Sequence, residues 1–567
     1  MARYQWRLTP KNDHRAHALS SELGVSEVVA SLLLNRGIKD VDEARRFLEP
    51  DYEHLADPLL LPDARLAVQR LVRAVKDKET IVVFGDYDCD GVTSTALWKD
   101  CLERLGAKVA AILPSRSADG YGLNASSIAS AREIGSKLII TCDCGSTAHQ
   151  VIEQAASYGI ETIVTDHHQL GDDLPKALAV VNPHRTDNQY PFEHLSGVGV
   201  SFRLAEALAI ELGLPIHNFR KRYIDLAAIG TVADVMPLIG ENRIFAKAGT
   251  EALSNPDRPG LRALKRLAGL SSAVDPRAIG FVIGPRLNAA GRMDHASLAL
   301  QLLLTKDEEE SLALAERLER QNSDRQHIQQ EALAEAEAQI EQDSLMNEKA
   351  ILVKADGWHM GIIGIVAGRL ANKHARPVFV MTSDADGRDY VGSIRSGGRV
   401  DIRPILEALS PLCTKSGGHP HAGGFSIQGD KIDEFAERLR ETSIALIPDE
   451  ALVPILNVDG EVDAPEANLR LLEELDRMAP FGHGNERPTF VSRNVRVLAS
   501  RPTKDDKHLQ LSLIGDRGIP IKGIAFGMGS IPIAAGSTVD VAYQLELDEF
   551  NGNRNAQWNI QDVEIKS

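Results

Sequence analysis

The sequence predicts an α/β protein: a parallel sheet, then a long connecting helix, a second α/β unit and a C-terminal β-barrel. Three observations carry this. Short β-rich runs alternate with helical stretches from Thr80 to about Leu195, the pattern of parallel strands joined by crossover helices. Lys306 to Asp343 contains neither Pro nor Gly and is rich in Ala, Glu, Leu and Gln, which suits one long helix with its acidic face in water. Beyond Pro448 the runs Thr489–Val491, Val495–Leu498, Leu509–Leu513 and Val539–Tyr543 are separated by Gly and Asp/Asn turns. Several short strands in this space suggest a small barrel of the oligonucleotide-binding type.

Taken in order, residues 1–79 form a mainly helical lead-in broken at Pro50, Pro58 and Pro62. Residues 80–305 hold the first α/β domain. In it Ile81–Phe84 runs into Asp86, Asp88 and Asp90, Leu138–Ile140 into Asp143, and Thr162–Thr165 into Asp166, His167 and His168. Leu178–Val181 ends at Asn182-Pro183, and helical patterns follow over Ser201–Leu212 and Tyr223–Ala233, carrying Asp225 and reaching Asp234. Residues 306–347 are the long helix. Residues 348–448 form the second α/β domain, with strands at Ala350–Val353 and Pro377–Met381 around a helix over Met360–His374. Residues 455–567 form the barrel, which is expected to be separable from the rest.

At 567 residues the chain is too long for a single core. No stretch approaches the ~20 apolar residues that span a bilayer, and Met1–Trp6 lacks the apolar core of a secretory signal. Five thinly spread cysteines argue for a reducing compartment, so the expectation is a soluble, cytoplasmic protein with no membrane contact. The net charge of −17 excludes a uniformly basic coat for nucleic acid. However, Lys306–Asp343 alone holds twelve acidic against four basic residues, so nearly half the excess lies on the long helix. Local arginine clusters must carry any phosphate binding.

In parallel sheets ligands bind beyond the carboxyl ends of the strands. Three such ends would bring together five carboxylates and two imidazoles, which demands cations. Carboxylates with imidazoles suit Mn²⁺ or Mg²⁺, whereas thiolates would point to zinc. Cys89, Cys142 and Cys144 lie beside the acids. On an extended strand Asp143 points away from both Cys142 and Cys144, so either it or they face the site. We assign Asp143 to the site and the cysteines to packing.

Asp86–Gly91, Asp143-Cys144-Gly145, Asp166-His167-His168 and Gly230–Asp234 occur in the order and spacing of the DHH phosphoesterase superfamily. Within it the chain resembles the RecJ family of single-strand-specific exonucleases, and Gly284–Met293, Gly417–Gly424 and Pro480–Asn485 extend the resemblance over most of its length. It implies DHH, DHHA1-type and OB-like domains and a 5′→3′ exonuclease of single-stranded DNA acting in repair and recombination. A single-strand-binding protein and a repair helicase are the partners it implies. It implies two ions, Mn²⁺ or Mg²⁺, on Asp88, Asp90, Asp143, His167 and Asp234, with Asp143 bridging. His168 matches a histidine that faces the phosphate as donor or proton shuttle. Phe84 stands where many superfamily members outside the RecJ branch place a histidine, and Asp86 is either a further ligand that partly compensates or a residue that orients a ligand or a metal-bound water. Asp166 belongs to the catalytic set or orients its neighbours, while Asp225 reads as structural.

For substrate, Arg286 and Arg292 bracket a Gly/Ala-rich turn that would allow close approach to a phosphate. The resemblance places Arg292, Arg369, Ser393 and Arg395 on phosphates near the substrate end, where arginine's planar fork suits them. Gly417–Gly424 reads as a loop crowding His419 and His421 against an anion, with His359 beside them. Tyr121 would stack a base or pack at a strand–loop junction. Two other readings compete: a DHH phosphoesterase of short oligonucleotides or cyclic dinucleotides, for which the barrel would be idle, and a non-catalytic binding subunit, against which the acid and histidine set speaks.

Overall fold

The computed structural model describes residues 3–10, 13–115, 122–270, 273–383, 387–515, 518, 520–550 and 553–566. Two units share the chain: Lys11–Asn322 with Leu469–Pro488, and Met1–Pro10 with Ser323–Asn468 and Thr489–Ser567.

The first unit is built on strands β2 (Thr80–Gly85), β3 (Lys108–Ile112), β4 (Leu138–Cys142), β5 (Glu161–Thr165) and β6 (Ala179–Val181). They lie in the order β3-β2-β4-β5-β6, all parallel. Alternate residues serve opposite faces. Ile81, Val83, Ile140 and Ile163 join one core with Ala67, Trp98 and Phe202 from helices Ala64–Lys76, Cys89–Arg104 and Gly197–Glu211. Val82, Phe84, Ile139 and Val164 join a smaller core with Ile128 and Ile152 from helices Ala125–Glu133 and His149–Ser157. Each fully buried side chain of this kind contributes about 1.5–3 kcal/mol. Phe84, in the histidine's place, is therefore a core residue. The order reverses between β2 and β4, the switch point at which such sheets open a crevice.

The second unit contains the mixed sheet β10-β11-β9-β8-β7, from β7 (Ile351–Lys354), β8 (Val378–Ser383), β9 (Asp389–Arg395), β10 (Lys415–His419) and β11 (Ala422–Gln428). Helix Ile363–His374 packs on it through Val366, Ala367 and Leu370. Strands β14 (Thr489–Pro502), β15 (Leu509–Ile514), β16 (Pro520–Ala525), β17 (Thr538–Phe550) and β18 (Asn553–Ile565) form a barrel closed by β14–β17 pairing, with β16 and β18 parallel. The short β13 (Gly460–Glu461) pairs with β14. The long helix runs from Glu308 to Gln342.

The lead-in is mainly helical, with helices Asp13–Leu23, Glu27–Asn35, Val41–Leu48 and Ala64–Lys76, and it begins with a strand, β1 (Gln5–Leu8), parallel to β12 (Ile455–Val458). The structure corrects two expectations. Residues 284–293, read as a turn, are a helix. Residues 417–424, read as a glycine loop, lie in the β10–β11 hairpin. Leu469–Pro488, inside the stretch read as the barrel, packs with the first unit.

Candidate metal centre

Each sheet acid is the first residue past its strand, and its backbone N–H continues the ladder by one bond. Asp86 donates to Cys142 O (3.2 Å), Asp143 to Thr165 O (3.0 Å) and Asp166 to Val181 O (3.2 Å). Three carboxylates are thus set in a row at the switch point. Asp143 takes a left-handed φ of 62°, which Asp tolerates better than most residues. That turn, not strand alternation, separates it from the cysteines: Cys142 enters one core and Cys144 the other, both wholly buried.

Asp88 caps helix Cys89–Arg104, its Oδ1 accepting from the N–H groups of Asp90 (3.0 Å) and Gly91 (3.1 Å). Asp90 accepts from Gly197 N–H (2.6 Å) and Val198 N–H (2.8 Å) at the start of helix Gly197–Glu211, whose dipole favours an anion. Gly197 is needed there, since a Cβ would lie 2.5 Å from that of Asp143. Asp234 is the C-cap of helix Ile216–Ala233. His167 Nε2 lies 3.0 Å from Asp143 Oδ1, 3.5 Å from Asp234 Oδ2 and 3.8 Å from Asp90 Oδ2.

Three ligand groups follow, each with its donor atoms within 4.8 Å of one another: Asp86, Asp88 and Asp143; Asp90, His167 and Asp234; and Asp143, His167 and His168. Asp143 and His167 each belong to two of them. Burial and the Asp88 charge push Asp86 up to about 8 and Asp90 up to about 7. Burial, followed by the Asp90 and Asp88 charges, raises Asp143 and Asp234 well above the usual carboxylate range. Burial, aided by the neighbouring His168, holds His167 down at about 3, so its ring is neutral, the form that binds metals. Asp86 Oδ1 is buried with no hydrogen-bond partner among the described residues, and His167 Nε2 faces carboxylate oxygens. Crowded carboxylates, a neutral imidazole and an unsatisfied buried carboxylate oxygen fit hard divalent cations.

Asp166 does something else. Its oxygens accept from the N–H groups of Ser146 (2.9 Å), His167 (2.8 Å) and His168 (3.2 Å) and meet His168 Nδ1 at 2.8 Å. Of the two roles open to it in the sequence, these contacts suit the orienting one. Burial opposes its charge, yet the His168 hydrogen bond holds its carboxyl well below the usual range. Burial likewise opposes charging of His168, but the bond to Asp166 raises it to about 9. Asn182, whose Nδ2 donates to His168 O (2.9 Å) and Ser146 Oγ (2.9 Å), braces the same loop. Sequence reasoning passed over it, although its place at a fourth strand end was the available signal. Asn288 was missed as well; its Oδ1 accepts from Cys89 N–H (2.8 Å). Asp225 pairs with Arg258 (2.9 Å) and is structural.

A profile described as the DHH family, N-terminal domain, matches residues 80–231, a DHHA1 domain matches 347–443, and a RecJ OB domain matches 458–562. The single-stranded-DNA-specific exonuclease RecJ of Dickeya dadantii is 36% identical over 94% of both chains, and that of Escherichia coli is 34% identical over 94% of this chain and 95% of its own. The chain belongs to the RecJ family. The crystal structure of RecJ from Thermus thermophilus in complex with Mn²⁺ matches with a TM-score of 0.85 at 30% identity, covering all of this chain and 80% of that one.

The other residues that the sequence singled out for substrate fall in two places. In the first unit, Arg292 lies in helix Gly284–Met293, and Arg286 pairs with Glu319 (2.6 and 3.1 Å). In the second unit, β11 pairs with β9 so that Ala422 faces Arg395. His421 Nδ1 lies 3.2 Å from Ser396 Oγ, and Arg395 donates to Ser393 Oγ (3.2 Å). Gly364, in the first turn of helix Ile363–His374, sits against Ser393 and Arg395. Arg369 is exposed on that helix and His419 on the hairpin, while His359 Nδ1 accepts from Gly361 N–H (3.0 Å). Tyr121 lies outside the described residues.

Proposed function

We propose that this chain is a metal-dependent exonuclease that hydrolyses single-stranded DNA from its 5′ end in repair and recombination. The observation that carries the reading is the sharing of Asp143 and His167 among three ligand groups at one switch point. Asp86, Asp88 and Asp143 would hold one Mn²⁺ or Mg²⁺ ion and Asp90, His167 and Asp234 the other, with Asp143 as the bridge. When bound, such a pair supplies an activated water and offsets charge on the phosphoryl oxygens.

The protein's own groups do the rest. Asp166 engages His168 at Nδ1, so a proton passed to the substrate leaves from Nε2. Ser393, Arg395, His419, His421, His359, Arg369 and Arg292 hold phosphates near the strand end, Arg395 through its planar fork. The barrel grips longer strands. No helix among the described residues is long and apolar enough to cross a membrane. The cytoplasm, a single-strand-binding protein and a repair helicase complete the reading on the strength of the family resemblance. The test is digestion of 5′- and 3′-labelled single strands and duplexes by protein stripped with EDTA and then given Mn²⁺. Release of 5′ label from single strands alone, and only with metal, is expected. Equal attack on duplexes, or activity in EDTA, would overturn the reading.

A further inference from the structure

The turn that follows Asp234 is strained, and a distant segment of the chain holds it. Val235 N–H donates to Val232 O (3.1 Å) and Met236 N–H to Thr231 O (3.1 Å), closing the helix in the left-handed manner that normally employs glycine. Here the left-handed residue is a β-branched valine with φ 58° whose side chain is largely in water, 64% exposed. Such conformations cost of order 1–3 kcal/mol and persist only where the surroundings over-determine them.

The surroundings are residues 478–486, which return from the C-terminal part of the sequence. Leu238 N–H donates to His483 O (2.7 Å). Gly482 packs so closely that a Cβ would lie 2.6 Å from Leu238 Cδ1, and one on Gly484 2.8 Å from Pro237 Cβ. The loop is itself locked. The buried Asn485 amide donates to Met478 O (2.9 Å) and Pro480 O (2.9 Å), and its Oδ1 accepts from Arg36 Nε (2.7 Å). Arg243, 1% exposed, donates to Phe47 O (2.7 Å), Ala479 O (2.6 Å) and Pro480 O (3.2 Å).

We propose that the Phe481–Glu486 loop is a clamp that keeps Asp234 in its metal-binding position by fixing the strained Val235–Leu238 turn. The inference rests on the reading of Asp234 as a ligand. Loss of partners that orient a ligand typically lowers metal affinity about 10- to 100-fold. The test is Mn²⁺ titration of the full chain, read by electron paramagnetic resonance, alongside single-strand binding in EDTA. Asn485→Ala should weaken one of two Mn²⁺ sites about tenfold and leave strand binding within twofold. Adding Val235→Asn, a residue at ease in the left-handed region, should recover most of that loss, which a general loss of packing would not allow. Gly482→Ala presses on Leu238 without breaking a buried hydrogen bond and should act in the same direction, which covers failure of Asn485→Ala to fold. Wild-type protein that binds no Mn²⁺ would remove the ligand reading itself. Two wild-type sites that survive unchanged in Asn485→Ala or Gly482→Ala, or a loss that Val235→Asn does not relieve, would overturn the clamp.

Discussion

At the ends of β2, β4 and β5 the functional side chains are buried acids, whereas at the ends of β9, β10 and β11 they are half-buried or exposed cations and imidazoles. The first arrangement costs stability. Asp86, Asp90 and Asp143 are each at most 2% exposed and repel one another, so that end of the fold is satisfied only when cations offset them. The second costs little, because Arg369 and His419 are exposed and keep their water. Chemistry that must polarise water needs the dry, crowded end, and holding a mobile polymer needs the wet one.

The sharpest way to break this contrast is Asp143→Asn. It removes the shared ligand and should lower cleavage at least a thousandfold, while single-strand binding persists on the second unit. Retention of more than a few percent of turnover in Mn²⁺ would refute the bridging role. The same substitution should raise the thermal midpoint of the metal-free protein, since it removes a buried carboxyl whose ionised form burial and the neighbouring acids disfavour.

The metal-free wild type should also carry a pH signature. Asp90 and Asp86, raised to about 7 and about 8, keep protons in the folded state that the unfolded chain has released above about pH 4. The folded state binds more protons, so stability falls as pH rises from 5 to 8. Saturating Mn²⁺ should abolish that slope. Equal slopes in melting curves with and without Mn²⁺ would mean that the cluster is not charge-stressed.

At the wet end Arg395→Ala should raise KM about thirtyfold with kcat within twofold, the size of one lost charge-assisted hydrogen bond. A fall in kcat alone would move Arg395 into transition-state stabilisation. Arg395→Lys should restore only part of the loss, because an ammonium cannot reproduce the fork.

What was legible in the sequence follows the range of the signal. Strands β2, β4 and β5 end in acids because alternation and burial act over neighbouring residues, so the positions of Asp86, Asp143 and Asp166 could be read directly. The role of Asp166 could not, since it depends on Ser146 and His168 folding back onto it. Gly417–Gly424 misled because glycines carry no side-chain alternation, and only the pairing of β10 with β11, and of β11 with β9, makes them strands. Arg286 looked like a phosphate ligand until Glu319, on a separate helix, appeared beside it. Nothing local in Leu469–Pro488 reports that it leaves the barrel for the first unit.

That excursion changes what a truncation would test. Cutting at residue 455 removes the barrel together with the partners of Arg243 and Leu238, so turnover should collapse on strands of every length. Cutting after Pro488 keeps those partners and removes only β14–β18. Among the described barrel side chains Phe526 is the exposed aromatic, at 50%, while Phe490, Tyr543 and Trp558 are buried. One stacked base contributes about 1–3 kcal/mol, so kcat/KM should fall about tenfold on strands long enough to reach the barrel. It should be unchanged on strands of a few nucleotides. Both truncated chains and the full one would be compared over a ladder of lengths. Equal losses at all lengths for the Pro488 variant would make the barrel a stabiliser of the fold rather than a grip on DNA.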